Sequence, residues 1–369
     1  MEPIRVLNLF TIMNRGGAET MVMNYYRKIN RSKVQFDFLV HREEEGAYEK
    51  EILELGGRIY RMPPMYPQNF SLYKKKIRDF FKNHPEYKII HSHMSELGYF
   101  ALKEAKKQGI PVRICHAHNA PHGWDLKMIM RNYFKKKMMP YLTHMFMCGK
   151  ESGDWLFGKK NEKKFIQLNN AIDAEKFRYN AETEKRVRKE LGVENKFVVA
   201  HVGRLNKQKN HKFLIDIFSQ IYQKKKDAVL VLVGIGDLKC TIERQVKELG
   251  LEQQVKFLGL REDINRVMQS FNVFVFPSLF EGFPVTMVEA QASGNLCFIS
   301  DRIPMQCCIT DSVRVLSLHD SAERWSEEIL SISSEYKKQD RYEEILKAGF
   351  DINENAKWLE EFYIEAGRN

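Results

Sequence analysis

The sequence predicts an α/β protein built from two doubly wound parallel sheets. Two observations predict it. Short apolar, β-branched runs alternate with longer amphipathic stretches along the whole chain, the pattern of parallel strands covered by helices on both faces. The 369-residue length also exceeds what one ordinary core organises, so two domains of similar size are expected.

The first half predicts strands at Ile4–Phe10, Gln35–Val40, Arg58–Arg61, Ile89–His93, Val112–His116 and Met145–Cys148. The second predicts Phe197–Val202, Ala228–Val233, Val255–Leu258, Val273–Pro277, Leu296–Ile299 and Val313–Leu316. Each half thus holds a set of about six. The polar and charged stretch 170–196 separates the two sets and puts the linker near residue 172. The expected organisation is residues 1–171, residues 172–350, and a helix at 351–369 returning to the first domain. In such sheets ligands sit beyond the carboxyl ends of strands, at a topological switch point, so the loops after strands are where function is sought.

Hydrophobic content of 43% and charged content of 29% are those of a globular protein, and no apolar run nears the roughly 18 to 20 residues of a membrane helix. The first residues enter a strand pattern with no signal-peptide organisation, which gives a cytoplasmic expectation. Cys115, Cys148, Cys240, Cys297, Cys307 and Cys308 are scattered, with one adjacent pair, and fit neither a disulfide framework nor a metal knuckle; they read as buried thiols. Charge is uneven. Residues 1–170 hold 30 Lys and Arg against 17 Asp and Glu, and the remainder 29 against 31. A basic first half faces an anionic partner or is simply a soluble lysine-rich surface. Lys127–Met139, which mixes cations with Met, Ile, Tyr and Phe, and Lys74–Phe81 each read either as a membrane-surface segment or as an ordinary amphipathic helix.

Three loops of the second half carry the chemistry. After the strand ending at Val202 comes Gly203-Arg204-Leu205-Asn206-Lys207-Gln208-Lys209, where glycine permits close backbone approach and Arg204 and Lys209 can hold a diphosphate. An exposed basic loop is the plainer reading of that segment taken alone. Gly234-Ile235-Gly236 reads as a tight turn near a nucleotide; it lacks the third glycine of a dinucleotide fingerprint. In Pro277–Ala290 a strand, a Glu-Gly loop and a helix follow one another. A helix starting near Pro284 aims free amides at an anion, Glu289 one turn in can accept from vicinal ribose hydroxyls, and Glu281 can bond a sugar hydroxyl or face positive charge at an anomeric carbon.

Glu281 and Glu289, separated by seven residues, Gly203-Arg204 with Lys209, and the Gly16-Gly17 loop after the first strand resemble the retaining GT-B glycosyltransferases of family 4 over almost the whole chain. The resemblance implies two Rossmann-like domains facing across a cleft, and transfer of a sugar from a nucleotide-sugar donor, with uridine the preferred base, to a saccharide or lipid-linked saccharide. It assigns Arg204, Lys209, Glu281 and His118 to catalysis, with His116 an alternative to His118. Donor contacts would come from Gly16, Gly17, Gly203, Gly234, Leu260, Gly282, Phe283, Pro284, Val285, Thr286 and Glu289. His91 and His93 are expected to be structural. No cofactor and no metal are expected, the cations standing in for a divalent ion, and the sequence shows no Asp-x-Asp motif or ligand cluster. The flavour is that of capsular and exopolysaccharide enzymes, at the inner face of a membrane or free of it. One departure stands out: Met305-Gln306-Cys307-Cys308 occupies a place where relatives carry a Glu. A nucleic-acid binder would explain the charge but not cleft carboxylates, which repel phosphate backbone. An epimerase or hydrolase of the same fold, or a silent nucleotide-sugar sensor, are the remaining alternatives.

Overall fold

The computed structural model describes residues 2–119 and 127–368. The chain divides into two compact units, Met1–Ala171 with Ile352–Asn369, and Ile172–Asp351.

The first unit is a seven-stranded sheet of β1 (Ile4–Phe10), β2 (Val34–Val40), β3 (Ile59–Arg61), β4 (Ile89–Ser92), β5 (Val112–Ala117), β6 (His144–Met147) and β7 (Phe165–Gln167), in the order β3-β2-β1-β4-β5-β6-β7. All neighbours pair in parallel. β2 is buried along its whole length, as a strand covered on both faces must be. The sequence expectation of about six strands falls short by β7. That edge strand has only three residues and follows a lysine-rich turn, so it shows no apolar run to read. The helix Ile352–Arg368 belongs to this unit: Ile352, Ala356, Leu359 and Tyr363 enter the core beside β1, β2 and β4, and Glu360 accepts from Asn30 N and pairs with Lys33.

The second unit has six strands, β8 (Phe197–Val202), β9 (Ala228–Val233), β10 (Val255–Gly259), β11 (Val273–Phe276), β12 (Leu296–Ser300) and β13 (Val313–Leu316), in the order β10-β9-β8-β11-β12-β13, all parallel. Two apolar clusters cover its two faces, one including Val198, Ala200, Phe274 and Phe276, the other Val199, Leu230, Val275 and Trp325. Strand order reverses between β1 and β4 in the first sheet and between β8 and β11 in the second. Those two points are where the fold opens a crevice for ligands.

Four cysteines are buried free thiols, as the sequence predicts, but Cys240 is exposed and Cys308 half-buried. Cys240 lies in the first turn of the surface helix Lys239–Glu248, which buries only Ile242 and Val246. The segment 74–81 lies in the helix Phe70–Asn83, whose Tyr73, Ile77, Phe80 and Phe81 are buried, so its apolar residues serve the core. The helix Lys127–Met138 divides its apolar residues: Phe134 and Met138 are buried, while Ile129 (61%) and Tyr133 (56%) are exposed. Among the described residues no helix is long and apolar enough to cross a membrane.

Candidate active site

The β8–β11 ladder stops early. Val273 pairs with Val199 and Phe274 with Ala200, and beyond them no backbone register joins the two strands. His201 bridges the gap instead, its Nδ1 donating to the Val275 carbonyl at 2.9 Å while its ring stacks on Phe276 at 5.2 Å. Burial drives the His201 ring well below the usual histidine range, so it stays neutral under a cationic loop.

That loop is the one carrying Arg204 and Lys209. Asn206 caps the short turn Lys207–Lys209 by accepting from Lys209 N at 3.2 Å, and Asn210 takes a left-handed conformation (φ 55°) before the helix His211–Lys224 begins. Three strand-end loops are laced together: Gly203 N donates to Val233 O, Leu205 N to Ile235 O, and Gly234 N to Gly259 O, at 2.8 to 3.0 Å. Gly234 must be glycine, because its φ of +136° is a region side chains avoid and a Cβ there would overlap the Gly203 carbonyl oxygen.

Lys209 reaches across the switch point. Its Nζ lies 2.7 Å from Glu281 Oε1 and 4.4 Å from the centre of the Phe276 ring, with only 13% of the side chain exposed. Gln208 completes the clasp, its Nε2 donating to Glu281 Oε2 at 3.1 Å and to the Phe280 carbonyl at 2.9 Å, while Leu279 N donates to Gln208 O. The sequence reading had both charged residues but not their pairing, and it missed Gln208. Arg204, on the same loop, is exposed and has no ionic or hydrogen-bonding partner for its guanidinium among the described residues. One cation is therefore held by an acid and the other is free.

After Glu281 the chain runs through exposed Gly282 and through Phe283, which stacks on Phe350 at 5.2 Å, to the helix Val285–Ala292. Pro284 is its N-cap; Val285 and Thr286 are its first two residues, whose amides have no intrahelical acceptor. Glu289 lies one turn further on. Its carboxylate has no partner among the described residues, and burial pushes it up to about 7. Leu260, just past β10, is 57% exposed.

Gly16, Gly17 and His118 belong to the first unit. Gly16 caps the helix Gly17–Lys28 after β1, and the space beside the Gly17 Cα is open. His118 follows β5 with both ring nitrogens engaged: Nε2 lies 2.8 Å from His93 Nδ1, and Nδ1 lies 3.3 Å from Cys148 Sγ. Burial pushes it down to about 3. His116, the alternative, is fully buried and lies 3.3 Å from the same sulfur. No ligand cluster is visible along the sequence, yet the fold assembles one from the ends of β5 and β6. His-x-His at the ends of both β4 and β5 was the available signal, since residues two apart on a strand share a face.

The second unit is thus a doubly wound sheet with a lysine–glutamate clasp and, on the same loop, an exposed arginine beside the switch point. Residues 182–348 match the family described as glycosyl transferases group 1, and residues 15–176 match glycosyltransferase family 4. EpsF of Bacillus subtilis is 36% identical over 95% of this chain and 94% of its own. An Escherichia coli UDP-Gal:α-D-GlcNAc-diphosphoundecaprenol α-1,3-galactosyltransferase is 28% identical over 74% of each chain. In fold the chain resembles HepE of Anabaena, solved in complex with UDP, at TM-score 0.73 and 17% identity over 99% of this chain and 97% of that one. The chain belongs to the family 4 glycosyltransferases, retaining enzymes of the GT-B fold.

Proposed function

We propose that this glycosyltransferase moves a hexosyl unit from a UDP-sugar to a lipid-linked saccharide during surface polysaccharide synthesis, with the donor diphosphate at the β8–β11 switch point. The observation that carries the reading is the Lys209–Glu281 clasp, with unpaired Arg204 on the same loop. A diphosphate entering there meets one free guanidinium and one ammonium already oriented by its partner, and both charges oppose the negative charge that builds on the leaving group. Glu281, held by Gln208 and Lys209, faces the positive charge developing at the anomeric carbon. The free amides of Val285 and Thr286 suit phosphate oxygens or sugar hydroxyls, and the Glu289 carboxyl oxygens suit the ribose diol.

Donor and acceptor classes draw support from the E. coli relative, whose donor is UDP-Gal and whose acceptor is a diphosphoundecaprenol-linked sugar. HepE, bound to UDP, supports the base. Exposed Ile129, Met130 and Tyr133 beside exposed Lys136 and Lys137 supply an apolar and cationic face suited to an anionic lipid surface. No carboxylate is placed as a covalent nucleophile in this reading; the acceptor attacks the same face the diphosphate leaves, and the departing phosphate takes the acceptor's proton.

A thermal-shift panel of UDP-, GDP- and ADP-hexoses tests the donor. A UDP-hexose at a hundredfold excess over its Kd stabilises the protein by about 2.7 kcal/mol, and the wrong base does so far less. An unchanged melting point with every UDP-sugar would sink the donor assignment.

A further inference from the structure

The first sheet's strand ends hold a second set of chemistry-bearing groups, among them the histidines that the family resemblance places near the transferred sugar. His116 Nε2 and His118 Nδ1 each lie 3.3 Å from Cys148 Sγ, and the three ligand atoms all lie within 4.8 Å of one another. All three side chains are buried. A zinc ion bound to one thiolate and two imidazoles sets its nitrogen and sulfur ligands about 3.5 Å apart, from bonds of about 2.3 and 2.0 Å. The two observed nitrogen–sulfur separations lie within a few tenths of an ångström of that value.

The hydrogen-bond wiring favours ligation as well. Asn8 Nδ2 donates to the Val6 carbonyl, which leaves Asn8 Oδ1 to accept from His93 Nε2 at 3.3 Å. His93 is then protonated on Nε2, and its Nδ1 lone pair accepts from His118 Nε2 at 2.8 Å. His118 is in turn protonated on Nε2, so its Nδ1 presents a lone pair to the sulfur. A metal-ligating histidine has its other N–H fixed by an acceptor in this same manner. Cys148 has one thiol proton for two facing ring nitrogens; His116 Nδ1, the nitrogen remote from the sulfur, has no hydrogen-bond partner among the described residues, so the wiring orients His118 and not His116. The Met21 sulfur, 3.7 Å from Cys148 Sγ, adds a second soft atom.

We propose that His116, His118 and Cys148 form a buried binding site for a thiophilic transition-metal cation of the zinc class, oriented by the His93–Asn8 chain. Binding exchanges the Cys148 S–H bond for a metal–thiolate bond and releases one proton to solvent. The ion is given no part in the transfer step proposed for the Lys209–Glu281 clasp. It captures the Nδ1 lone pair of His118, so ligation and any sugar contact through that atom exclude one another.

Cobalt(II) is the probe, added to tag-free full-length protein stripped with a chelator. One equivalent bound, with a sulfur-to-cobalt charge-transfer band and the visible bands of a tetrahedral ion, is expected. Cys148→Ser removes the charge-transfer band, Cys240→Ser leaves it intact, and His93→Gln weakens zinc affinity by about 10- to 100-fold. Circular dichroism of each metal-free variant separates loss of the site from loss of the fold. A spectrum without a thiolate band, or one that survives Cys148→Ser in a folded protein, overturns the site.

Discussion

The two sheets share a topology and differ in what they place at the point where strand order reverses. Around β1, β4 and β5 the first sheet gathers His91, His93, His116 and His118, all buried, and burial holds each below the usual histidine range. At β8 and β11 the second sheet holds Lys209 against Glu281, with Arg204 free in solvent. One crevice is polar but neutral and the other is charged. The difference teaches that the doubly wound fold supplies a location and the residues at its strand ends decide the chemistry. Bulk charge misleads here: the basic excess lies in the first half, whereas the cations that suit a diphosphate lie in the half with slightly more acid than base.

The largest effect that tests this contrast is on the charged side. Lys209→Ala lowers kcat for sugar transfer by roughly 10²- to 10³-fold, the scale for losing one preorganised group facing developing charge. Steady-state release of the nucleoside diphosphate reads it, and a variant within threefold of the parent removes the clasp from catalysis. Next, Gly234→Ala destabilises the protein by about 2 to 3 kcal/mol in urea unfolding, because the left-handed backbone and the Gly203 carbonyl leave no room for a methyl. A change under 0.5 kcal/mol would mean that the laced loops are looser than the hydrogen bonds imply.

Glu289 gives the third effect, with a pH signature. Burial raises its carboxyl from 4.5 to about 7, so the stability it contributes is full below pH 4.5 and is lost as pH rises through 7. Glu289→Gln therefore raises stability at pH 8 by about 2 kcal/mol, after allowance for residual solvent, and leaves it nearly unchanged at pH 4. Melting curves at the two pH values check this, and an equal shift at both would contradict the buried carboxyl. Smallest is Gly17→Ala, where open space at the site keeps the stability change within about 0.5 kcal/mol. The same substitution weakens donor binding if a phosphate approaches that backbone, which separates a ligand-facing glycine from a structural one.

Much of the fold is legible because burial writes itself locally. β1, β8, β9 and β13 have the bounds their apolar runs predict, and Glu281 and Glu289 stand out by spacing on a strand–loop–helix segment. β7 is too short to show a period. Pairings between distant residues are absent from any local pattern: Lys209 and Glu281 are 72 positions apart, and Gln208 between two lysines looks like any solvated polar residue. The histidine and cysteine cluster comes from separate strand ends, and only the sheet order makes those strands neighbours.

Calorimetric titration with UDP and with uridine, on the parent chain and on Lys209→Ala and Arg204→Ala, tests the central claim most directly. Each substitution is predicted to weaken UDP binding by at least about tenfold, the loss of one charge-assisted contact, and to leave uridine binding unchanged. UDP affinity that is the same in the parent and both variants would contradict the placement of the diphosphate at the β8–β11 switch point.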